Sequence, residues 1–417
     1  MAALLLLVVA TCTVSSAHSN SHCGGEGHDE CFDPPAHKVN MLLQLGTATS
    51  SRLENLFHSF MKSYDRKYAK GSDEYHQRIL HFRDHVDRAE HVNKDPASLW
   101  TAAAGPLWDF SPEERAAVRG WSGGAQRGRS QGKAAVLLNQ MSLPESFSWA
   151  DNLTSLKKAA SLNQGACGSC WATATTKVLS AHAEIHDSPQ KSFSTQELVD
   201  CVPNPASCGG TGGCEGATTE LALQYVMEYG LSAEKEAAYL GIDQSCSVSL
   251  TDEDKNSFAD EGIRKEGMHT ASESAPGRAI GMTGFERLPE NQYGPLLHAL
   301  YEKGPVAVSV DASMWSLYSS GIFNSCTKDA EINHAVILVG WGHNSKNKFW
   351  TIQNSWGDDW GEKGLMKLLR HDSDDAWCGT DYQPLDGTGC TGGPSSVAVC
   401  GMCGIHYDSA LPHFSKM

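Results

Sequence analysis

A two-lobed α+β fold is the expectation for this chain of 417 residues, and changes of hydrophobic period carry it. Between Leu56 and Asn93, and again between Cys170 and Ile185, apolar residues recur at spacings of three and four, the period of a helix that buries one face. From Pro305 the period shortens. Pro305-Val306-Ala307-Val308-Ser309-Val310 alternates, Ala335 to Val339 is a continuous apolar run suited to a buried strand, and Phe349 to Gln353 follows a polar loop. Helices therefore dominate the earlier part of the chain and strands the later part.

The first residues read as a leader. Ala2 to Ala10 are almost continuously apolar and Ser15-Ser16-Ala17 offers small residues for cleavage, so a signal peptide ending at Ala17 is expected. The run is shorter than the roughly 20 residues of a membrane span, and no later stretch qualifies, so no membrane anchor is expected. Cys23 and Cys31 lie behind it among histidines and glycines, where an unstructured segment with one local disulfide is expected in preference to a metal site. Phe57, Phe60 and Met61, then Tyr75, Ile79, Phe82, Val86 and Ala89, outline two helices whose apolar stripe must find a partner surface. Residues 119–133, rich in Gly and basic side chains, read as a protease-exposed linker, and Asn152-Leu153-Thr154 is a glycosylation sequon.

The stretch that organises the rest is Gln164-Gly165-Ala166-Cys167-Gly168-Ser169-Cys170-Trp171. A helix is expected to start near Cys170, because Trp171, Ala174, Val178, Ala181 and Ile185 fall on one face. A thiol at that point meets unpaired amides and the positive end of the helix dipole, which favour thiolate. A redox Cys-x-x-Cys pair would call for a βαβ context and a zinc site for a second pair, and neither pattern is found. Of the fourteen cysteines, an odd eleven lie from Cys167 onward, which leaves Cys170 unpaired if the others form five bridges. A net charge of −16, from 49 acids and 33 bases, argues against a nucleic-acid partner.

Further along, Ser194-Thr195-Gln196-Glu197 offers a capping box, the loop from Cys208 to Gly216 carries five glycines, and residues 250–280 form a polar surface excursion. The run from Ala335 and the run ending at Gln353 are expected to pair as a hairpin, which brings His334 beside Asn354. A thiol nucleophile needs a base, and the base an orienting partner, which nominates Cys170, His334 and Asn354 together.

Cys167-Gly168-Ser169-Cys170-Trp171 and Asn354-Ser355-Trp356-Gly357 resemble the signatures of the papain-like cysteine proteases, and Glu74, Arg78, Phe82 and Asn93 match four of six positions of the prosegment motif of their cathepsin L type; His85 and Ala89 depart from it. Asp109 resembles part of a second prosegment motif. The resemblance implies a helical propeptide over residues 18–142, inhibitory about 52–115 and a flexible linker about 116–142. It implies a mature domain over residues 143–417 that opens at Leu143-Pro144, with Cys170 on a helical lobe and His334 and Asn354 on a β-barrel-like lobe. The implied activity is endopeptidase cleavage of proteins or peptides, with the propeptide as an intramolecular inhibitor and without cofactor or metal. An exopeptidase whose cleft is blocked by residues 250–280, or a non-catalytic scaffold, is the alternative.

The same resemblance gives Gln164 and the Cys170 amide as oxyanion donors and Trp356 as a cover for the His–Asn pair. It places Gly216, Thr218, Thr219, Asn333, Ala335 and Asp408 around the substrate residue two positions before the cleaved bond, with Asp408 free to meet a basic side chain. It implies disulfides Cys167–Cys214, Cys201–Cys246 and Cys326–Cys403, and leaves Cys208, Cys378, Cys390 and Cys400 outside the family framework. The expected setting is the secretory route, lysosomal, vacuolar or secreted, for a monomer.

Overall fold

The computed structural model describes residues 50–120, 143–157, 163–186, 192–251, 258 and 266–415. The expected signal peptide, the histidine-rich leader and most of the expected linker lie outside them.

Two helices come first, α1 (Ser50–Ser63) and α2 (Asp73–Lys94). Ser72 caps α2 by accepting from the Tyr75 amide, and Asp73 and Glu74 in its first turn complement the helix dipole. Their apolar stripes meet around Phe82, whose ring centroid lies 5.0 Å from Phe60 and 5.8 Å from Trp108. The Asn93 side-chain amide then clasps strand β1 (Trp100–Ala102), donating to the Ala102 carbonyl and accepting from the Ala102 amide, each at 2.9 Å. A short helix α3 (Pro112–Ala117) follows, started by a reciprocal capping box between Ser111 and Glu114 with Pro112 in its first turn. The sequence carries that signal as Ser111-Pro112-Glu113-Glu114.

The remaining chain gives β2 (Phe147–Ser148), α4 (Thr154–Lys157), α5 (Cys170–Ile185), α6 (Thr195–Cys201) and α7 (Thr219–Tyr229). It continues through β3 (Gly267–Thr270), β4 (Met282–Arg287), α8 (Tyr293–Glu302), β5 (Val306–Val310), β6 (Tyr318–Phe323), β7 (His334–His343), β8 (Lys348–Gln353) and β9 (Leu365–Leu369). It ends with β10 (Gly379–Asp381), β11 (Val397–Val399) and β12 (Asp408–Phe414). Among the described residues the main sheet runs β1-β6-β9-β8-β7-β5-β12-β4-β3, with β2 on β7, and β10 and β11 form a separate ribbon. The amino-terminal segment thus contributes an edge strand to the sheet of the later domain.

Strand alternation explains why β5 and β7 are buried on both faces. Val306, Val308, Val310, Val336 and Leu338 point into one core, shared with the aromatic cluster of α1 and α2. Ala307, Ala335, Ile337 and Val339 point into the other, which surrounds α5. Three small side chains, Ala307, Ala335 and Ala410, lie in that second core and let the helix come close to the sheet.

Three sequence expectations change here. Helix α5 is buried nearly all round, not along one stripe, because several of its polar side chains find partners close by: Thr175 donates to the Trp171 carbonyl, Ser180 donates to the Thr176 carbonyl, and the His182 ring lies 2.9 Å from the Pro305 carbonyl. The capping box at the start of α6 is only half formed. Ser194 accepts from the Glu197 amide, but the Glu197 carboxylate turns away to accept from the Ser232 amide and the Tyr225 hydroxyl. The described part of the 250–280 excursion is also no mere surface loop, since Gly267–Thr270 pairs with β4 and His269 stacks on Phe285 at 4.4 Å.

Candidate active site

Cys170 opens α5, and the loop before it is fixed by the Cys167–Cys214 disulfide and by Gln164, whose amide hydrogen bonds to the Ser355 carbonyl at 2.9 Å. Cys170 is the free cysteine among the described residues. β7 begins at His334 and the β8 strand ends just before Asn354, so the hairpin brings the two together: His334 Nε2 lies 2.8 Å from Asn354 Oδ1. Because that oxygen also accepts from the Ser355 amide at 2.8 Å, it is an acceptor, and the imidazole carries its proton on Nε2. Nδ1 is left bare, with no hydrogen-bond partner. Trp356 stacks over the imidazole at 4.9 Å and covers the pair.

The amino-terminal segment runs directly across these groups. The Val118 carbonyl accepts from Gln164 Nε2 at 2.7 Å, and the Arg119 carbonyl accepts from the Cys170 thiol at 3.4 Å. Gly120 then passes Gly216 so closely that a Cβ on Gly216 would meet the Gly120 carbonyl oxygen at 1.8 Å. Burial under this segment pushes the Cys170 thiol up to about 11, although the amides of Ala335, Trp171 and Cys170 itself point at the sulfur and pull the other way. Burial likewise pushes His334 down to about 4 against the opposing pull of Asn354. The helix terminus was expected to favour thiolate; in this covered state desolvation outweighs it.

The segment is held down by ionisable groups. Asp109, fully buried, accepts from Arg66 Nε at 2.7 Å and from the Tyr68 hydroxyl at 2.8 Å. Arg78 pairs with Glu114, which draws the Glu114 carboxyl below its usual range. His85, one of the two departures from the motif, is buried against Trp108 and lies 3.2 Å from the Ser316 hydroxyl; burial pushes it down to about 4.

Residues 143–388 match the papain family of cysteine proteases. The chain belongs to that family. It is a cysteine peptidase, a hydrolase, carrying an amino-terminal helical propeptide region. It is 30% identical over 325 residues to a senescence-specific cysteine protease, SAG12, of Arabidopsis thaliana, covering 75% of this chain and 83% of that one. It is 28% identical over 325 residues to a cathepsin L-like proteinase of Fasciola hepatica, 76% of this chain and 89% of that one. The crystal structure of the ragweed pollen allergen Amb a 11 cysteine protease in its proform shares the fold at 23% identity, with a TM-score of 0.61 over 90% of this chain and 95% of that one.

The disulfides of this papain-family chain, among the described residues, are Cys167–Cys214, Cys201–Cys246, Cys208–Cys390, Cys326–Cys403 and Cys378–Cys400. The first, second and fourth are the pairs that the resemblance implies; the other two had no sequence rule behind them. Asn152 of the sequon is exposed, its side-chain amide donating to the Ser148 carbonyl at 2.9 Å.

The residues nominated around the substrate are gathered but not all available. Thr218 caps α7 and Thr219 is its first residue, while Asn333 accepts from the Ala312 amide on Oδ1 and donates from Nδ2 to the Ser313 hydroxyl, tying the segment after β5 to the start of β7. Ala335 turns its amide toward the Cys170 sulfur. Asp408 corrects the expectation. It is buried and already paired, with Arg287 at 3.2 Å and the Ser309 hydroxyl at 2.6 Å, so it is not a free acid awaiting a basic substrate side chain. Arg287 also meets Glu220 at 3.1 Å. Burial and the Asp408 charge push Glu220 up to about 7, while Arg287 keeps Asp408 below its usual range in spite of burial, so the proton of this cluster rests on Glu220. Glu220, Arg287 and Ser309 escaped the sequence reading because no local pattern links positions so far apart.

Proposed function

We propose that the protein is a cysteine endopeptidase made as an inactive zymogen, in which the bare Nδ1 of His334 takes the Cys170 proton, the sulfur attacks the scissile carbonyl, and the imidazolium passes that proton to the leaving amine. The acyl group passes to water through a thioester. Asn354 orients the imidazole, and Gln164 with the Cys170 amide receives the oxyanion, a contribution worth about 3 kcal/mol per donor in comparable sites.

The observation that carries the endopeptidase reading is the passage of residues 117–120. A continuous chain reaches Cys170 from the side of Ser316 and has come alongside Gly216 by Gly120, which supports a cleft that takes polypeptide on both sides of the nucleophile. The same passage accounts for latency, since it occupies Gln164 and buries both reacting groups. The described part of the 250–280 excursion packs on β4 and does not enter this path.

We further propose that residues 1–17 are removed as a signal peptide, that 18–142 is the propeptide and that the mature domain begins near Leu143. The disulfides and the apolar leader support passage through the secretory route, toward a lysosome, a vacuole or the exterior. Alkylation of the processed protein with one equivalent of iodoacetamide should label Cys170 and abolish hydrolysis of a denatured protein substrate. Full activity after complete labelling of Cys170, or full activity of the uncut precursor at neutral pH, would refute the reading.

A further inference from the structure

Among the described residues, the Cys208–Cys390 disulfide does something that none of the other bridges does: it joins the two walls of the cleft. On the wall that carries His334, the Thr388 amide donates to the Ile332 carbonyl at 3.1 Å, and Gly387 lies so close that a Cβ there would meet the Ile332 carbonyl oxygen at 1.7 Å and Asn333 Cα at 3.4 Å. On the opposite wall, the Gly209 amide donates to the Gly389 carbonyl at 2.9 Å and the Thr391 amide to the Ala206 carbonyl at 2.8 Å. Between Gly387 and Thr391 the chain therefore crosses from one lobe to the other.

Both anchorages are built into the groove itself. Gly209 packs against Ala217 and Thr218, its added Cβ meeting the Ala217 carbonyl oxygen at 2.7 Å and the Thr218 methyl at 3.2 Å. The Asn204 amide ties the same loop together, donating to the carbonyls of Cys208 at 2.8 Å and Gly210 at 2.9 Å while its oxygen accepts from the Cys208 amide at 2.7 Å. Cys208 and Cys390 are 5% and 4% exposed, so the crossing is packed and not a loose surface link. It reaches Asn333 through Gly387 and, through its partner Gly209, the loop that packs on Thr218, on the Gly216 side of the nucleophile, where the family resemblance puts the part of a substrate that precedes the cleaved bond.

We propose that residues 384–393, fastened by Cys208–Cys390, form a strap that closes this end of the cleft, so that the enzyme reads two residues ahead of the cleaved bond and no further. Residues farther upstream have to turn out over the strap and gain no binding from the groove. The inference rests on the peptidase reading given above and adds the element that limits its subsites.

The test is a length series on the processed enzyme, using acetyl-capped fluorogenic peptides with one to four residues before the reporter, normalised by titration of Cys170. Each subsite that binds in the transition state multiplies kcat/KM, so a steep rise from one residue to two followed by a plateau, within about 2-fold through four, is expected. A further rise of about 10-fold or more between two and four residues would overturn the strap. The double variant Cys208→Ser/Cys390→Ser should regain dependence on the third and fourth residues, and a flat profile in the folded variant would also count against it. The wild-type series decides on its own if the variant does not fold. Cleavage of a denatured protein, scored in parallel, separates the two readings. Products released only from amino ends would overturn the endopeptidase reading while supporting the strap. Internal products together with a rising length series would do the reverse.

Discussion

In the prosegment, the ties that fix one element to the next are hydrogen bonds and ion pairs: Arg66–Asp109–Tyr68, Arg78–Glu114, and His85 against Ser316. In the peptidase domain the corresponding ties are covalent, five disulfides among the described residues, two of them within the first lobe and one across the cleft. Yet both regions share one apolar core, in which Phe82 and Trp108 of the prosegment are continuous with Trp315 and Trp360 of the β lobe. Hydrophobic contact is therefore not what distinguishes the two regions. The contrast lies in polar ties: Glu114 and His85 are both held below their usual ranges in the docked segment, so protonation works against docking, whereas the disulfides do not respond to acid.

The strongest way to break this contrast is Asp109→Ala, made in a Cys170→Ser background so that the zymogen cannot process itself. It leaves the Arg66 guanidinium and the Tyr68 hydroxyl without their buried acceptor. Breaking a buried pair by removing one partner costs about 3 to 5 kcal/mol, so the prosegment should become cleavable by added protease at pH 7, roughly a hundredfold to a few thousandfold faster than in the parent. Unchanged resistance would mean that the apolar core alone holds the segment.

Second in size is the reactivity of Cys170. With the thiol pushed up to about 11 by burial, the covered enzyme holds little thiolate at pH 7. Alkylation of the zymogen by iodoacetamide should then run about 100-fold or more slower than alkylation of the processed enzyme, as followed by mass mapping. Equal rates would show that the segment does not seal the sulfur.

His85 sharpens the comparison with a defined sign. Its buried form sits at about 4, below the ordinary value of 6.5, so the docked state binds fewer protons than the released one between those limits. Docking is fully supported above pH 6.5 and weakens as pH falls toward 4, by a total on the order of 3 kcal/mol. The groups acting on it are Arg115 and Arg88, which oppose its charge, and Asp84, which favours it, with the His81 carbonyl on its own helix accepting a hydrogen bond from it. Replacement by Asn should move acid release, read by tryptophan fluorescence, to a lower pH. A midpoint that stays in place would remove His85 from the mechanism.

The smallest effect is expected at the buried charges of the peptidase domain. Because Glu220 already holds the proton of its cluster near neutrality, Glu220→Gln replaces a neutral acid by a neutral amide of similar shape. At pH 5 the melting temperature of the processed enzyme should move by no more than about 2 to 4 °C, which corresponds to about 1 kcal/mol for a domain of this size. A much larger drop would show that the cluster depends on a second negative charge.

What was legible in the sequence follows from how far each interaction reaches along the chain. The start of α5, the β7–β8 hairpin and the pairing of His334 with Asn354 come from local period and from antiparallel geometry, and the structure brings those residues together. The burial of α5 nearly all round was not legible, because threonine, serine and histidine look polar until the partners of Thr175, Ser180 and His182 are seen. Asp408 was misread for a related reason. A carboxylate at that position suggests a vacancy for a cation, and only the fold reveals that Arg287, 121 residues earlier, already fills it. The strap had no sequence signal beyond two surplus cysteines separated by 182 residues.

The hydrogen bond from Gln164 Nε2 to the Val118 carbonyl has a consequence for how such an enzyme can evolve. The nitrogen that quiets the precursor is the one proposed to speed the product. On the proposed reading, any replacement at position 164 therefore trades silence of the precursor against turnover after release, and selection cannot adjust the two separately there. Changes in latency that spare the rate are expected to accumulate instead on the carbonyl side, among residues 117–120, which the proposed processing removes.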